Sequence, residues 1–238
     1  MIELLNISKR FRKTKALSNA NVSFEKGHSY AIIGHNGSGK TTMLKSILGL
    51  IIPNSGMVKV DGKDQRTGVE SRNNIGYMSQ HAKFPENLTV REMIEMIEKI
   101  RGKSSNAAHY MSVFNLDKEK NKKIGQLSGG NRQKVNAVLC FMFEPDYIVC
   151  DEPMSALDPV ASIALKELFV KFKSEGRCVI VVTHSMQLAE ELADRVCYLS
   201  DGVISYVGEI SELRSNYQNK PLEHVIASMA HEKMTSNA

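Results

Sequence analysis

The chain has 238 residues, 42% of them hydrophobic and 24% charged, which is an ordinary globular composition with enough length for one large or two small domains. Its formal net charge of +5 reads as dispersed, without a dense Lys/Arg block; that is compatible with nucleic acid or an anionic membrane and establishes neither. No run approaches the roughly 18 apolar residues of a membrane span, and Met1-Ile2-Glu3-Leu4-Leu5-Asn6 lacks the basic and long apolar regions of a signal peptide, so a cytosolic location is expected.

Residues 2–7 and 21–24 read as strands, and Glu25-Lys26-Gly27 as a turn before the apolar strand Tyr30-Ala31-Ile32-Ile33. Directly after it comes Gly34-His35-Asn36-Gly37-Ser38-Gly39-Lys40-Thr41, which fits G-x-x-x-x-G-K-[ST]. Three glycines and a small serine let successive backbone N–H groups point into one concavity. The helix expected over residues 40–48, ended by Gly49 and Pro53, adds its positive dipole end. This is a phosphate-binding loop. Lys40 is placed to reach the terminal phosphates and Thr41 to offer its hydroxyl to Mg²⁺, with Gly34, Asn36, Gly37, Ser38, Gly39 and Thr42 completing the nucleotide contacts.

Residues 55–62 read as a strand closed by an Asp61-Gly62 turn, and residues 75–79 as a short strand ending at Gln80. From Thr89 the period changes. Val90, Met93, Ile94, Ile97 and Ile100 share one helical face, so a helical stretch is expected over about 89–143, interrupted at 102–106 and by the charged run at 117–123. Inside it, Ser128 is placed as an N-cap, and Gly129 and Gly130 leave their N–H groups uncovered, a second anion-binding helix start. Strands return at 147–150 and 178–183 with a helix over about 160–174 between them, a βαβ unit with a parallel sheet. The first of these strands delivers Asp151 and Glu152 at its C-terminal end, where α/β sheets place their ligands. Asp151 suits Mg²⁺ through water, and Glu152 suits a general base for the water that attacks a γ-phosphate. The cysteines, Cys140, Cys150, Cys178 and Cys197, lie far apart in apolar segments and are expected to be buried reduced thiols. A hairpin of residues 196–199 and 203–207 precedes a short polar tail, taken as 211–238.

In this order, the phosphate loop, Gln80, Leu127-Ser128-Gly129-Gly130-Asn131, the strand ending in Asp151-Glu152, Ser155-Ala156-Leu157-Asp158 and His184 resemble the nucleotide-binding subunits of ABC transporters over about residues 1–210. The resemblance implies an α/β fold: a P-loop NTPase RecA-like core with an antiparallel β-subdomain and an α-helical subdomain inserted at about 82–143. It implies that two cassettes pair head to tail, each ATP lying between one subunit's phosphate loop and the other's Ser128-Gly129-Gly130. Phe11 matches the aromatic that stacks on adenine, and Gln80 the glutamine that touches Mg²⁺ and the attacking water. His184 matches the histidine at the γ-phosphate. Asp158 matches an aspartate that bridges the subunits, and Asp158-Pro159 equally suits a helix start. Asn131 stands where the family usually has Gln, which bears on contact with the ribose, and Met154 where it has Thr; neither change removes a catalytic group.

The implied activity is ATP hydrolysis at the cytoplasmic face of a membrane, driving a separate integral membrane permease together with a second ATP-binding subunit, expected to be another copy. Residues 75–80 and 88–92 are similar to exporter-type subunits. Residues 34–37, 45–50 and 128–135 are similar to the ATPases of transporters that assist copper-centre maturation of nitrous oxide reductase. The brevity of the tail after Val207 gives the expectation that the regulatory domain of many sugar importers is absent. A rival reading, a soluble ATPase acting on nucleic acid or ribosomes, usually brings two fused cassettes or long coiled coils, and the sequence shows neither; nucleic acid is not an expected partner. A GTP-selective switch lacks its Asn-Lys-x-Asp.

Overall fold

In the computed structural model, which describes residues 1–67 and 70–236, the chain opens as β1 (Ile2–Phe11), β2 (Thr14–Phe24), β3 (Ser29–Ile33) and α1 (Lys40–Ile47). It continues through β4 (Ser55–Val60), β5 (Lys63–Asp64), β6 (Ile75–Met78), α2 (Val90–Arg101), α3 (Ala107–Val113) and α4 (Gly129–Phe141). Then come β7 (Tyr147–Asp151), α5 (Pro159–Ser174), β8 (Cys178–Val182), α6 (Met186–Leu192), β9 (Arg195–Ser200), β10 (Val203–Glu209), α7 (Ile210–Asn216) and α8 (Leu222–Ser236).

Two sheets result. An antiparallel sheet in the order β2-β1-β4-β5 packs beside a sheet in the order β10-β9-β3-β8-β7-β6, whose strands from β9 to β6 run parallel. Every residue of β3, β7 and β8 is buried, as expected for parallel strands covered on both faces. Alternation sorts their side chains. Tyr30, Ile32, Val149 and Ile180 meet α1 and the antiparallel sheet, whereas Ile148, Cys150, Val179 and Val181 meet α4 and α5. Ala31 and Ile33 face a third cluster with α6, α7 and α8.

The helical insertion is built as its sequence predicts, with local chemistry setting its ends. Thr89 and Glu92 form a capping box at the start of α2, and Gly102 in left-handed conformation ends it. Phe141 on α4 is fully buried, stacked on Phe172 of α5 at 5.3 Å between ring centroids and edge-on to Phe169 at 6.2 Å. Phe141→Ala removes the centre of that triplet, and the expected cost is about 3–5 kcal/mol. A urea unfolding midpoint unchanged from the parent chain would overturn this.

Two expectations are corrected. β1 and β2 are far longer than the predicted strands, because the chain turns at Arg12-Lys13 with Arg12 at φ 49°, without the glycine or asparagine that marks most tight turns. The polar tail is largely helical: α7 and α8 bury Leu213, Leu222, Val225 and Ile226 against β3 and α6. Residues 237–238 of that tail lie outside the described residues.

Candidate nucleotide-hydrolysis site

β3 ends at Ile33 and the phosphate loop turns back over the sheet edge before α1 begins at Lys40. Two glycines are required by space. A Cβ on Gly34 would lie 2.1 Å from the Leu199 carbonyl oxygen, and one on Gly39 would lie 2.3 Å from that of Ala16. The loop is tethered from outside: Gly202 N–H donates to the Ser38 carbonyl at 2.9 Å, and His35 Nε2 lies 3.2 Å from Asp201 Oδ1. The Ser38 hydroxyl is buried beneath the loop with no hydrogen-bond partner.

Lys40 Nζ donates to the loop's own carbonyls, Gly34 O at 2.6 Å and His35 O at 3.0 Å. Burial pulls its ammonium below the ordinary lysine value, against the opposing pull of Glu152 and Asp151. The cation is thus poorly hydrated and folded over the place where a phosphate would bind. Such a group gains most from an incoming anion.

β7 carries Asp151, 8% exposed, to the floor of the same cleft. Burial pushes its carboxyl above the ordinary aspartate value, the neighbouring Glu152 adds to this, and Lys40 opposes it. Glu152 stands in left-handed conformation at φ 46°. It accepts from the Thr183 hydroxyl at 3.1 Å and His184 N–H at 2.8 Å, and Oε1 lies 2.7 Å from His184 Nδ1. Glu152 and His184, 32 residues apart and delivered by neighbouring strands, therefore form one acid–base pair.

A cleft of about 1370 Å³ is lined by Gly34, Asn36, Gly37, Gly39, Lys40, Thr41, Thr42, Gln80, Asp151, Glu152 and His184. Its remaining wall was missed by sequence reading. Thr14 and Ala16 of β2 and Ile226, Ala227 and Ala230 of α8 also line it. The Thr41 hydroxyl, the Asp151 carboxylate and the Gln80 amide give hard oxygen donors with a single carboxylate. That suits Mg²⁺ when substrate oxygens and water complete its shell.

The other expected residues lie outside the cleft lining. Phe11, 45% exposed, stands at the hairpin end with Lys9 Nζ 5.2 Å from its ring centroid. Ser128 caps α4 by accepting from Asn131 N–H at 3.1 Å, and Gly129 and Gly130 begin that helix. Asp158 caps α5 and pairs with Lys134 Nζ of α4 at 2.6 Å. Buried Asn136 of α4 donates through Nδ2 to the Ser79 carbonyl at 2.8 Å, next to Gln80. A polar residue on the apolar face of α4 was the available signal for this link.

A phosphate loop at the end of a parallel strand, a carboxylate pair on the strand two positions away and a histidine on the strand between define a P-loop nucleotide hydrolase. The chain belongs to the ABC transporter family: the family model of that description matches residues 17–155. It is an ABC ATPase with the fold of an ATP-binding cassette. The Nod factor export ATP-binding protein I of Burkholderia lata is 30% identical over 207 residues, covering 84% of this chain and 68% of that protein. A solved ATP-binding subunit of an ABC transporter superposes with a TM-score of 0.91 at 26% identity, covering 97% of this chain and 99% of that one. The cassette MJ0796, solved as a dimer in a post-hydrolysis state bound to ADP and Pi, is 30% identical with a TM-score of 0.79, covering 88% and 99%. Similar proteins carry import as well as export names, so the family does not by itself fix a direction of transport.

Proposed function

We propose that this chain is the ATP-hydrolysing subunit of an exporter-type transporter, closing against a second copy on ATP and driving a separate membrane permease. One observation carries this reading: the phosphate loop, Gln80, Asp151, Glu152 and His184 meet in one cleft, while the helix start at Ser128-Gly129-Gly130 is not among the residues that line it. A head-to-tail pair brings each helix start to the other copy's phosphate loop. Asp158, beside it, bridges the two copies. Phe11 turns from the hairpin end to stack on adenine, and Asn131 adds a ribose contact.

Thr41, Asp151 and Gln80 would hold Mg²⁺, which when bound would supply charge neutralisation at the phosphates. The protein's own part is to hold Lys40 against the terminal phosphates and Glu152 and His184 around the attacking water. Chelating Mg²⁺ is expected to lower phosphate release about 100-fold or more, with recovery on adding Mg²⁺ back. Turnover unaffected by chelation would remove the metal from the mechanism.

The helical insertion is the docking surface for the permease. It lies between Gln80 and α4, and Asn136 ties α4 to the carbonyl next to Gln80, so a nucleotide-driven shift of that loop moves the insertion directly. Phe84, Met93 and Ile97 are taken up by the core, which leaves exposed Lys83, Glu86 and Arg91 for the partner. The decisive experiment is co-purification of the tagged chain from membranes with identification of its partner. Charge reversal at Lys83, Glu86 and Arg91 is expected to lose the partner while basal ATPase activity stays within about twofold of the parent. Undiminished co-purification would place docking elsewhere. The export direction is supported by the Nod factor export relative, and the copper-maturation reading by residues 34–37, 45–50 and 128–135. The identity of the co-purified permease tests both.

A further inference from the structure

Five of the seven residues from 9 to 15 are cationic: Lys9, Arg10, Arg12, Lys13 and Lys15. This corrects the expectation of a chain without a dense Lys/Arg block: the block falls at the closed end of the β1–β2 hairpin, where pairing sets Arg10 directly opposite Lys15. Like charges facing each other across a strand pair repel. Among the described residues no carboxylate forms an ion pair with Arg10, Arg12, Lys13 or Lys15.

Lys9 is engaged, and its contacts extend the surface. Its Nζ donates to the Ile52 carbonyl at 2.7 Å. Arg10 N–H donates to Asn54 Oδ1 at 2.7 Å, and Asn54 N–H donates to the Ser8 carbonyl at 2.8 Å. These bonds lay residues 52–54 along the hairpin. An exposed apolar side chain therefore stands beside the cationic ridge: Ile52 is 65% exposed, and Leu50, two residues before it in the chain, is 62% exposed.

We propose that this ridge binds anionic lipid headgroups, seating the subunit on the membrane surface through contacts separate from the permease. Unneutralised cations next to apolar tips match a bilayer surface, where the cations meet headgroup phosphates and the tips enter the boundary layer. A single-stranded nucleic acid is the poorer match. Stacking requires aromatic faces, and Ile52 and Leu50 are aliphatic.

The test uses the purified full chain without permease, sedimented with vesicles of equal parts phosphatidylglycerol and phosphatidylcholine, and with vesicles of phosphatidylcholine alone. Binding is expected to the anionic vesicles only, weakening as salt is raised. The combined change Arg12→Glu, Lys13→Glu and Lys15→Glu should weaken it at least about tenfold, with a parent-like thermal unfolding curve as the control for folding. Leu50→Ser with Ile52→Ser should weaken it separately at constant charge, and inorganic phosphate at matched ionic strength should leave it unchanged. Failure to bind anionic vesicles, or equal binding by the charge-reversed variant, would overturn the proposal. So would release by phosphate alone, which would make this a small-anion site, or tighter retention on an oligonucleotide than on lipid.

Discussion

Lys40→Ala is expected to lower ATP hydrolysis by about 100- to 1000-fold or more without unfolding the chain, because one side chain supplies the only cation aimed at the terminal phosphates from within the loop. Lys40 Nζ already sits on the loop carbonyls of Gly34 and His35, so in this state the charge is held where phosphate oxygens arrive. Folding disfavours the cation, since burial pulls its value down. For a lysine with a lowered folded value, the cost of burying the charge is present at pH below that value and is gone above the unfolded one. Removing the ammonium at neutral pH therefore takes away an electrostatic cost of the nucleotide-free fold, and thermal unfolding should not shift downward on this account. Phosphate release, nucleotide binding by calorimetry and a melting curve separate the effects. A parent-like rate in this variant would sink the assignment of the cleft.

The parts of the molecule most legible in the sequence are those where one conformation alone satisfies sterics. Gly34 and Gly39 face carbonyl oxygens that no Cβ could approach, so the phosphate loop is written in residues as well as in shape. The insertion was legible because Val90, Met93, Ile94 and Ile97 repeat at helical spacing, and Val90 and Met93 are buried. Other elements hide for physical reasons. α6 is seven residues long, too short to display a period, and its Ser185 cap looks like any serine after a strand. The β1–β2 turn uses Arg12 in a conformation usually given to glycine or asparagine, so the hairpin carries no turn signature. α8 reads as polar tail because its apolar residues are interspersed with Glu223, His224, Ser228, His231, Glu232 and Lys233. Yet Leu222, Val225 and Ile226 have the helical spacing that packs them below β3 and brings Ala227 and Ala230 to the cleft wall. Long-range polar links were the least visible: Asn136 to Ser79 and Lys134 to Asp158 join residues whose pairing depends on the finished fold.

Glu152→Gln is expected to hold ATP as tightly as the parent while lowering hydrolysis by about 100- to 10000-fold, since a positioned general base contributes on that scale. The substitution is nearly isosteric, and its surroundings tolerate it. The amide oxygen can still accept from His184 N–H, and the Thr183 hydroxyl, which donates to Glu152 in the parent, can turn to accept from the new NH₂ group. What disappears is the capacity to take a proton from water, together with the carboxylate partner that lies 2.7 Å from His184 Nδ1. Lys40 and the phosphate loop are untouched, so binding and turnover part company. If the composite site is right, ATP then remains trapped between two copies, and the variant should elute as a dimer with ATP and Mg²⁺ and as a monomer with ADP. Size-exclusion chromatography coupled to light scattering reads this directly. A Glu152→Gln chain that turned over ATP normally would remove Glu152 from the chemistry, and one that bound ATP but stayed monomeric at every concentration would remove Ser128-Gly129-Gly130 from the partner's site.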